Sequence, residues 1–577
     1  FFYSYDTIHH RTWQLTSQLF SSIKLPPLHS IPQQLLDTSK HLPLRLYTAE
    51  MSLTVYQLCQ TNYPNGTESQ LLECVATQLE DEQHARWEDL KNFLFVLAGA
   101  LIFFMQSGFA MVCAGAVRSK NVQNSMLKNL LDACGAAVAF FLVGNAFAFG
   151  GQTTSTGTSF IGTSEFASVG PSPSFWFFEY TFSATSVTIV AGTLAERCQM
   201  TAYLCYSMVL AGFIYPVIAH SVWSNNGFLS NFNSDPLFGS GAIDFAGSGV
   251  VHLTGGVTAL LATMILGPRR GRFYDARGEP LLTPKPMPGN SIALQLLGTM
   301  VLWFGWFGFN PGSALLLDSD HIGEIAANAA VSTALAGAAG GISALFTNLF
   351  IEERRTGEPH FSLVMAMNGS LSGLVAVTAG CAIFEPWAAI LTGVVAGWVY
   401  IGGSNWLIRR RIDDAVDAIP VHMLNGIWGL LAVGLCASPS KLDLTFNTSK
   451  HVGVFYSWGR GSSDATLLAC QTLTVLYILG WVLITMLPFF VWLNYKGWLR
   501  SDSLEELVGL DISYHGGEGG GPDAGVKKEY VDAYRKHKGG SRRTVHTDSD
   551  GTELWTSQQE NSDDPENPDS GEGGDAV

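Results

Sequence analysis

From Phe93 onward one feature recurs eleven times: an apolar run of about 20 residues, the length that crosses a bilayer core of roughly 30 Å. The runs fall near 93–117, 126–149, 174–195, 200–221, 247–267, 289–309, 324–350, 361–380, 386–407, 418–437 and 466–494. Hydrocarbon offers no partner to a backbone N–H or C=O, so such runs must fold as helices that satisfy their own hydrogen bonds. The expected fold is an all-α polytopic membrane protein with eleven transmembrane helices. At 47% hydrophobic and 14% charged residues, the chain is too apolar for a soluble protein of 577 residues. Its net charge of −16 does not argue for a basic partner, because Asp and Glu crowd the tail after about residue 516. Nucleic acid is not an expected partner; membrane lipid is.

Loop charges set the orientation, since short cytoplasmic loops accumulate Lys and Arg. The loop after the first run holds Arg118 and Lys120, after the third Arg197, after the fifth Arg269, Arg270, Arg272, Arg277 and Lys285, after the seventh Arg354 and Arg355, and after the ninth Arg409, Arg410 and Arg411. Loops after the second, fourth, sixth and eighth runs hold neither residue type. The N-terminus is therefore expected outside the cell and the C-terminus in the cytoplasm, in a multi-pass protein assigned to the plasma membrane. The loop after the tenth run is mixed, with Lys441, Lys450, Arg460 and the sequon Asn447-Thr-Ser449, and its outside placement follows from the count of crossings.

Two stretches carry residues that lipid does not explain. Asp244-Phe-Ala-Gly-Ser-Gly-Val-Val-His252 enters the fifth run, with its histidine roughly 12 Å along the helix from the aspartate. Asp417-Ala-Ile-Pro-Val-His422 enters the tenth and reads as the same plan, aspartate then histidine. Ionisable groups inside a membrane are costly and face a bundle interior or a conduit. A histidine bonded to a neighbouring carbonyl is the bland alternative for each, but two at matched places suggest one pore. Five runs plus five, with a histidine entering the last of each set, suggest an inverted five-plus-five repeat with one extra helix.

At these residues the chain resembles the ammonium transporter family (Amt/Mep/Rh), in its eukaryotic plant-type branch. The resemblance is carried by Asp244 to His252, Phe178-Glu-Tyr-Thr-Phe182 with Ala195-Glu-Arg197, Gly305-Trp-Phe-Gly-Phe-Asn-Pro-Gly-Ser313, and Asp417 to His422, and covers roughly residues 90 to 516. It implies ammonium or methylammonium as substrate and a homotrimer. It also implies an outer substrate site of Trp223, Phe182, Ser313 and Asp244, a gate of Phe182 over Phe309, and the pore histidines His252 and His422. A lone Trp223 would read as an interface anchor, and only the other motifs make it a mouth residue. Asp244 has two readings, cation recruitment or deprotonation on one side and capping of the fifth helix on the other. Pro420 and Met423 depart from the commoner plant pattern and leave the inner exit open to question.

Five domains are expected: 1–50, an N-terminal segment that begins with Phe and reads as non-native before a start at Met51; 51–92, an extracellular segment; 93–496, the membrane domain; 497–516, a cytosolic regulatory segment; and 517–577, a disordered acidic tail. In 51–92, Cys59 and Cys74 either pair, within or between chains, or stay free, and Asn65 of Asn65-Gly-Thr67 is either glycosylated or an unused sequon. Asn447 is the second glycosylation candidate. The resemblance places the regulatory segment on a neighbouring subunit and a phosphorylation site at Ser513, open to a kinase; an ordinary juxtamembrane helix end is the alternative. No His-Glu-x-x-His or other ligand spacing is present, so neither an enzyme, a metal site nor a cofactor is expected. The function expected is ammonium transport through a twin-histidine pore, with an ammonium sensor or an electroneutral Rh-like ammonia channel as alternatives.

Overall fold

The computed structural model describes residues 55, 57–64, 66–151, 158–317, 319–515, 528–539, 544–547 and 553–556. The expectations for 1–50 and for Asn65 fall outside these residues. The described residues divide into a unit ending at Leu90 and a unit beginning at Lys91. In the first unit Cys59 and Cys74 are joined in a disulfide, the within-chain alternative.

All eleven apolar runs are helical. They are α1 (Glu68–Ala116), α2 (Ser119–Phe149), α3 (Pro173–Ala191), α4 (Met200–Trp223), α5 (Ser248–Leu266), α6 (Ile292–Leu316), α7 (Ile322–Thr356), α8 (Leu363–Val377), α9 (Pro386–Arg409), α10 (Ile419–Cys436) and α11 (Thr466–Tyr495). Nine are long and apolar enough to cross a membrane by composition, and α3 and α8 are not among them. Every α3 residue from Phe178 to Ala191 is buried, so its Glu, Ser and Thr side chains face other helices rather than lipid. Helix α1 begins at Glu68, well before its apolar run, because Glu, Gln, Leu and Ala in the polar stretch are strong helix formers. Ser172, Ser291 and Ser362 open α3, α6 and α8 by accepting from the backbone N–H three residues on. Helices α7, α8 and α9 pack through small residues: a methyl group on Gly340 would lie 2.4 Å from the Gly369 carbonyl, and one on Gly393 2.3 Å from that of Ala336.

The two halves meet where α5 and α10 begin. Both helices open with a π-helical turn, Ser248–Leu253 and Ile419–Leu424, and each turn carries a histidine. A π turn spends one extra residue and re-aims the side chains in it. The turns cross reciprocally: a methyl group on Gly256, four residues past His252, would lie 2.4 Å from Met423 N, and one on Gly426, four residues past His422, 2.9 Å from Leu253 N. That two-fold reciprocity is the packing expected of an inverted repeat.

The loops that carry Arg118, Arg197, Arg269 and Asp413 converge at one end of the helices. Arg269 holds Asp413 with Nε (2.8 Å) and Nη2 (2.9 Å), and gives Nη1 to Glu196 (2.6 Å), which also accepts from Arg118 Nε (2.5 Å). Arg197 Nη2 donates to the Asp413 carbonyl and Nε to that of Gly267. Burial alone would raise the Asp413 and Glu196 carboxyls; the arginines more than reverse this, and both sit below the usual carboxylate range.

The segment after α11 folds onto this end. Helices α12 (Ser503–Val508) and α13 (Leu510–His515) dock on the α1–α2 connection of the same chain: Asp511 accepts from Gln123 N and Asn124 N, Leu510 N donates to Asn121, and Lys120 Nζ donates to the Glu506 and Leu507 carbonyls. The tail, expected to be disordered from 517, contains α14 (Lys528–Gly539) and an antiparallel pair, β1 (Thr544–Thr547) with β2 (Glu553–Thr556). Tyr534 of α14 is buried and its hydroxyl donates to the Ser513 carbonyl, an apolar anchor with a satisfied tip that an average over acidic composition hides.

Three outcomes follow from this packing. Carboxyls depressed in the folded state stabilise it above their unfolded value and lose that contribution as pH falls, so the melting temperature in detergent should drop below about pH 4. Asp413→Asn should cost about 3–5 kcal/mol at neutral pH and flatten that acid limb. Gly426→Ala should lower stability by about 1–3 kcal/mol, because its methyl group meets backbone that cannot rotate away.

Candidate functional site

The pore candidates lie on α3, α4, α5, α6 and α10, in a line from the Trp223 end of the helices to the arginine end. At the Trp223 end a cavity of roughly 190 Å³ is lined by Glu179, Trp223, Asp244 and Ser313 among Phe149, Phe175 and other apolar side chains. Trp223 Nε1 donates to the Asp244 carbonyl (2.7 Å), which fixes the indole beside the cavity. The Ser313 hydroxyl donates to Phe309 O one turn back (2.9 Å), so its oxygen lone pairs remain as acceptors.

Phe182 and Phe309 pack under this cavity with ring centroids 4.1 Å apart and planes inclined by 34°. Trp223 stands edge-on to Phe182 at 5.9 Å. Beneath the phenylalanines, the fully buried His252 ring lies near-parallel to Phe309 (5.6 Å), to Trp306 (5.2 Å) and to His422 (5.2 Å). His252 Nδ1 and His422 Nδ1 are 3.2 Å apart. A neutral imidazole carries one N–H, so one ring donates across this contact and the other accepts. The donor ring is left with a bare Nε2 and the acceptor ring with a protonated one. The pair therefore presents one acceptor and one donor nitrogen, and His252 Nε2 has no protein partner.

Past His422 a space of roughly 30 Å³ lies between Phe109, Thr188, Leu302 and Val421. It shares Val112, Asn368 and Val416 with a larger cavity of roughly 290 Å³ at the arginine end, lined also by Arg272, Asp413, Asp414 and Asp417. Between the cavities at the two ends lies a stack of rings, Phe182 over Phe309 and His252 beside His422.

Asp244 takes the capping geometry of its two readings. Its Oδ1 accepts from Gly247 N (3.1 Å), and its Oδ2 from Gly249 N (2.9 Å) and Val250 N (2.8 Å). The matching aspartate in the second half is Asp414, not Asp417. Asp414 accepts from Val416 N (3.2 Å) and Ile419 N (2.7 Å) ahead of the second π turn, whereas Asp417 accepts from the Tyr400 and Ser404 hydroxyls. The signal was available, since Asp244 precedes His252 by the same eight residues that separate Asp414 from His422; proximity to the histidine favoured the wrong acid. Sequence reasoning also passed over Trp306, three residues before Phe309 and so on its helical face, and Glu179, three before Phe182.

Other expected residues lie elsewhere. Ser513 is on α13, with its hydroxyl donating to Gly509 O (3.0 Å). Asn447 is exposed in a left-handed conformation at the end of a short helix after α10. Among the described residues no cluster of His, Cys, Asp and Glu could hold a metal.

The sequence pattern of the Ammonium Transporter Family matches residues 93–519. The chain is 42% identical over 448 residues to Ammonium transporter 1 member 3 of Solanum lycopersicum, spanning 75% of this chain and 94% of that one. It is 40% identical over 427 residues to Ammonium transporter Amt2 of Archaeoglobus fulgidus, spanning 73% and 86%. A solved structure titled Sensor Amt Protein superposes with a TM-score of 0.61 at 30% identity, covering 74% of this chain and 98% of that one. Candida albicans Mep2 has the same TM-score at 24% identity, covering 72% and 87%, a likeness of fold. With a family pattern spanning the membrane helices and plant relatives near 40% identity, the chain belongs to the Ammonium Transporter Family, in its plant-type branch.

Proposed function

We propose that the protein moves ammonium across a membrane by binding the cation at the Trp223 end, removing a proton, and passing ammonia along the histidine path to the arginine end. The observation that carries this reading is the histidine pair, 3.2 Å apart and sealed from the outer cavity by Phe182 and Phe309. Burying an ion in that path would cost several kcal/mol or more, while a neutral molecule avoids the penalty. Potassium has no proton to leave behind and is excluded on the same ground. In the outer cavity, the Trp223 and Phe182 rings supply about 0.5–2 kcal/mol of cation–π attraction, and the Ser313 oxygen accepts an ammonium N–H. The histidine pair then gives ammonia a donor and an acceptor in an otherwise apolar tube.

The reading places the Trp223 end and the N-terminus outside the plasma membrane and the arginine end inside, in a homotrimer. Regulation enters through Ser513. Its hydroxyl is buried and donates to Gly509 O, and a phosphoryl group adding about −1.5 to −2 charge would break that bond and bring a charge into a buried position. Modification by a kinase would displace α12 and α13 from the α1–α2 connection. A second reading, ammonium sensing through this docked segment, is favoured by the 30% identical structure titled Sensor Amt Protein.

Cells expressing the chain should show a saturable inward current on addition of ammonium, and the His252→Ala, His422→Ala double variant should lose it or admit potassium. Labelled methylammonium entering without current would mean that the proton stays outside. Neither current nor uptake, with the protein at the surface, would overturn transport in favour of sensing. Ser513→Asp should reduce uptake severalfold and increase proteolysis of α12 and α13, while Ser513→Ala should leave uptake near that of the parent.

A further inference from the structure

Glu179 is the one carboxylate in the outer cavity with no assigned task. It is 1% exposed, and its Oε2 has no hydrogen-bond partner. Among the described residues lining the cavity, Glu179 and Asp244 are the titratable ones. Asp244 is saturated by three backbone N–H groups. Tyr215 of α4 is a further titratable group, and its hydroxyl is also buried without a partner. The rest of the lining, Phe149, Phe175, Trp223, Asn225 and Ser313 included, carries no acid or base.

A buried carboxylate without a partner is expensive. The missing positive charge can be supplied by a cation held against Trp223 and Ser313, one helical turn from the phenylalanines. We infer that Glu179 is the proton acceptor of the outer site: its carboxylate pairs with ammonium and takes one of its protons before ammonia passes Phe182 and Phe309. An N–H bond of ammonium breaks, its electron pair stays on nitrogen, and an O–H bond forms on Glu179. The carboxylate is restored when that proton passes to water and on toward the histidine pair, the route that the inward current above requires. The inference rests on the transport reading above and gives the deprotonation a residue. It assigns Asp244 to the scaffold, holding the first π turn and the Trp223 indole in place.

The test is uptake of labelled methylammonium by cells expressing the full chain, across external pH. Glu179→Gln keeps the shape and removes the base. Its uptake should be about tenfold below the parent near pH 5.5, and the shortfall should narrow toward pH 8.5 as the neutral fraction of the amine, still small there, rises about tenfold per pH unit. Glu179→Asp, which retains a carboxyl, should restore much of the acid-side uptake. A parent-like pH profile in Glu179→Gln, or an equal loss at every pH in a variant that melts like the parent, overturns the inference while leaving the transport reading intact. A parent without uptake at any pH overturns both. If Glu179→Gln does not fold, infrared difference spectra of the unmodified protein decide the matter. Ammonium but not potassium should raise the carbonyl band of a protonated carboxyl group, and its absence overturns the assignment.

Discussion

Two side chains 170 residues apart in sequence meet at 3.2 Å because two helices cross where neither has a Cβ to interpose. Gly256 admits the backbone of Met423 and Gly426 admits that of Leu253, and this reciprocal contact sets the distance between the π turns. The aromatic stack depends on the same crossing. His252 lies against Phe309 and Trp306 only because α5 is held this close to α10, and Trp306 is pinned in turn by its Nε1 bond to Thr378 (3.0 Å). Charged groups do little of this work inside the helices. They are concentrated at the arginine end, where Arg269, Glu196 and Asp413 tie together loops that follow the third, fifth and ninth helices.

How much of this could be read from residues alone varied with the physics behind each signal. The apolar runs were legible because a bilayer fixes their length, and the arginine loops because their side chains stay at one end. Helix α3 was legible as a run but is too polar to pass as a lipid-facing span, since interior helices are freed from that requirement. The pairing of acids was misread. Asp417 lies nearer His422, but capping a π turn requires a fixed offset to the free N–H groups, and Asp414 has it. Glu179 was quoted within a motif and given no role, because nothing in the sequence tells a paired buried acid from an unpaired one.

The tail shows the reverse relation. Composition beyond residue 516 is acidic and glycine-rich, and disorder is the reading that average supports. Individual residues make other arrangements: beyond 516 the Tyr534 hydroxyl donates to the Ser513 carbonyl, and in the segment before it Asp511 caps the start of α2 and Glu506 accepts from Arg500 Nη2 (2.8 Å) and Arg270 N (2.7 Å). These acids are matched to cations and free N–H groups one by one, so the docked segment completes the charge balance of the arginine end.

The histidine contact also has a direction in time. With one hydrogen shared across Nδ1–Nδ1, a proton that enters at the bare Nε2 of one ring must leave from the protonated Nε2 of the other, and the pair is left facing the opposite way. A second proton cannot follow until both rings have exchanged tautomers. Such a contact counts single protons and must be rewound between them, so its throughput would be governed by the resetting of two imidazoles rather than by the width of the path.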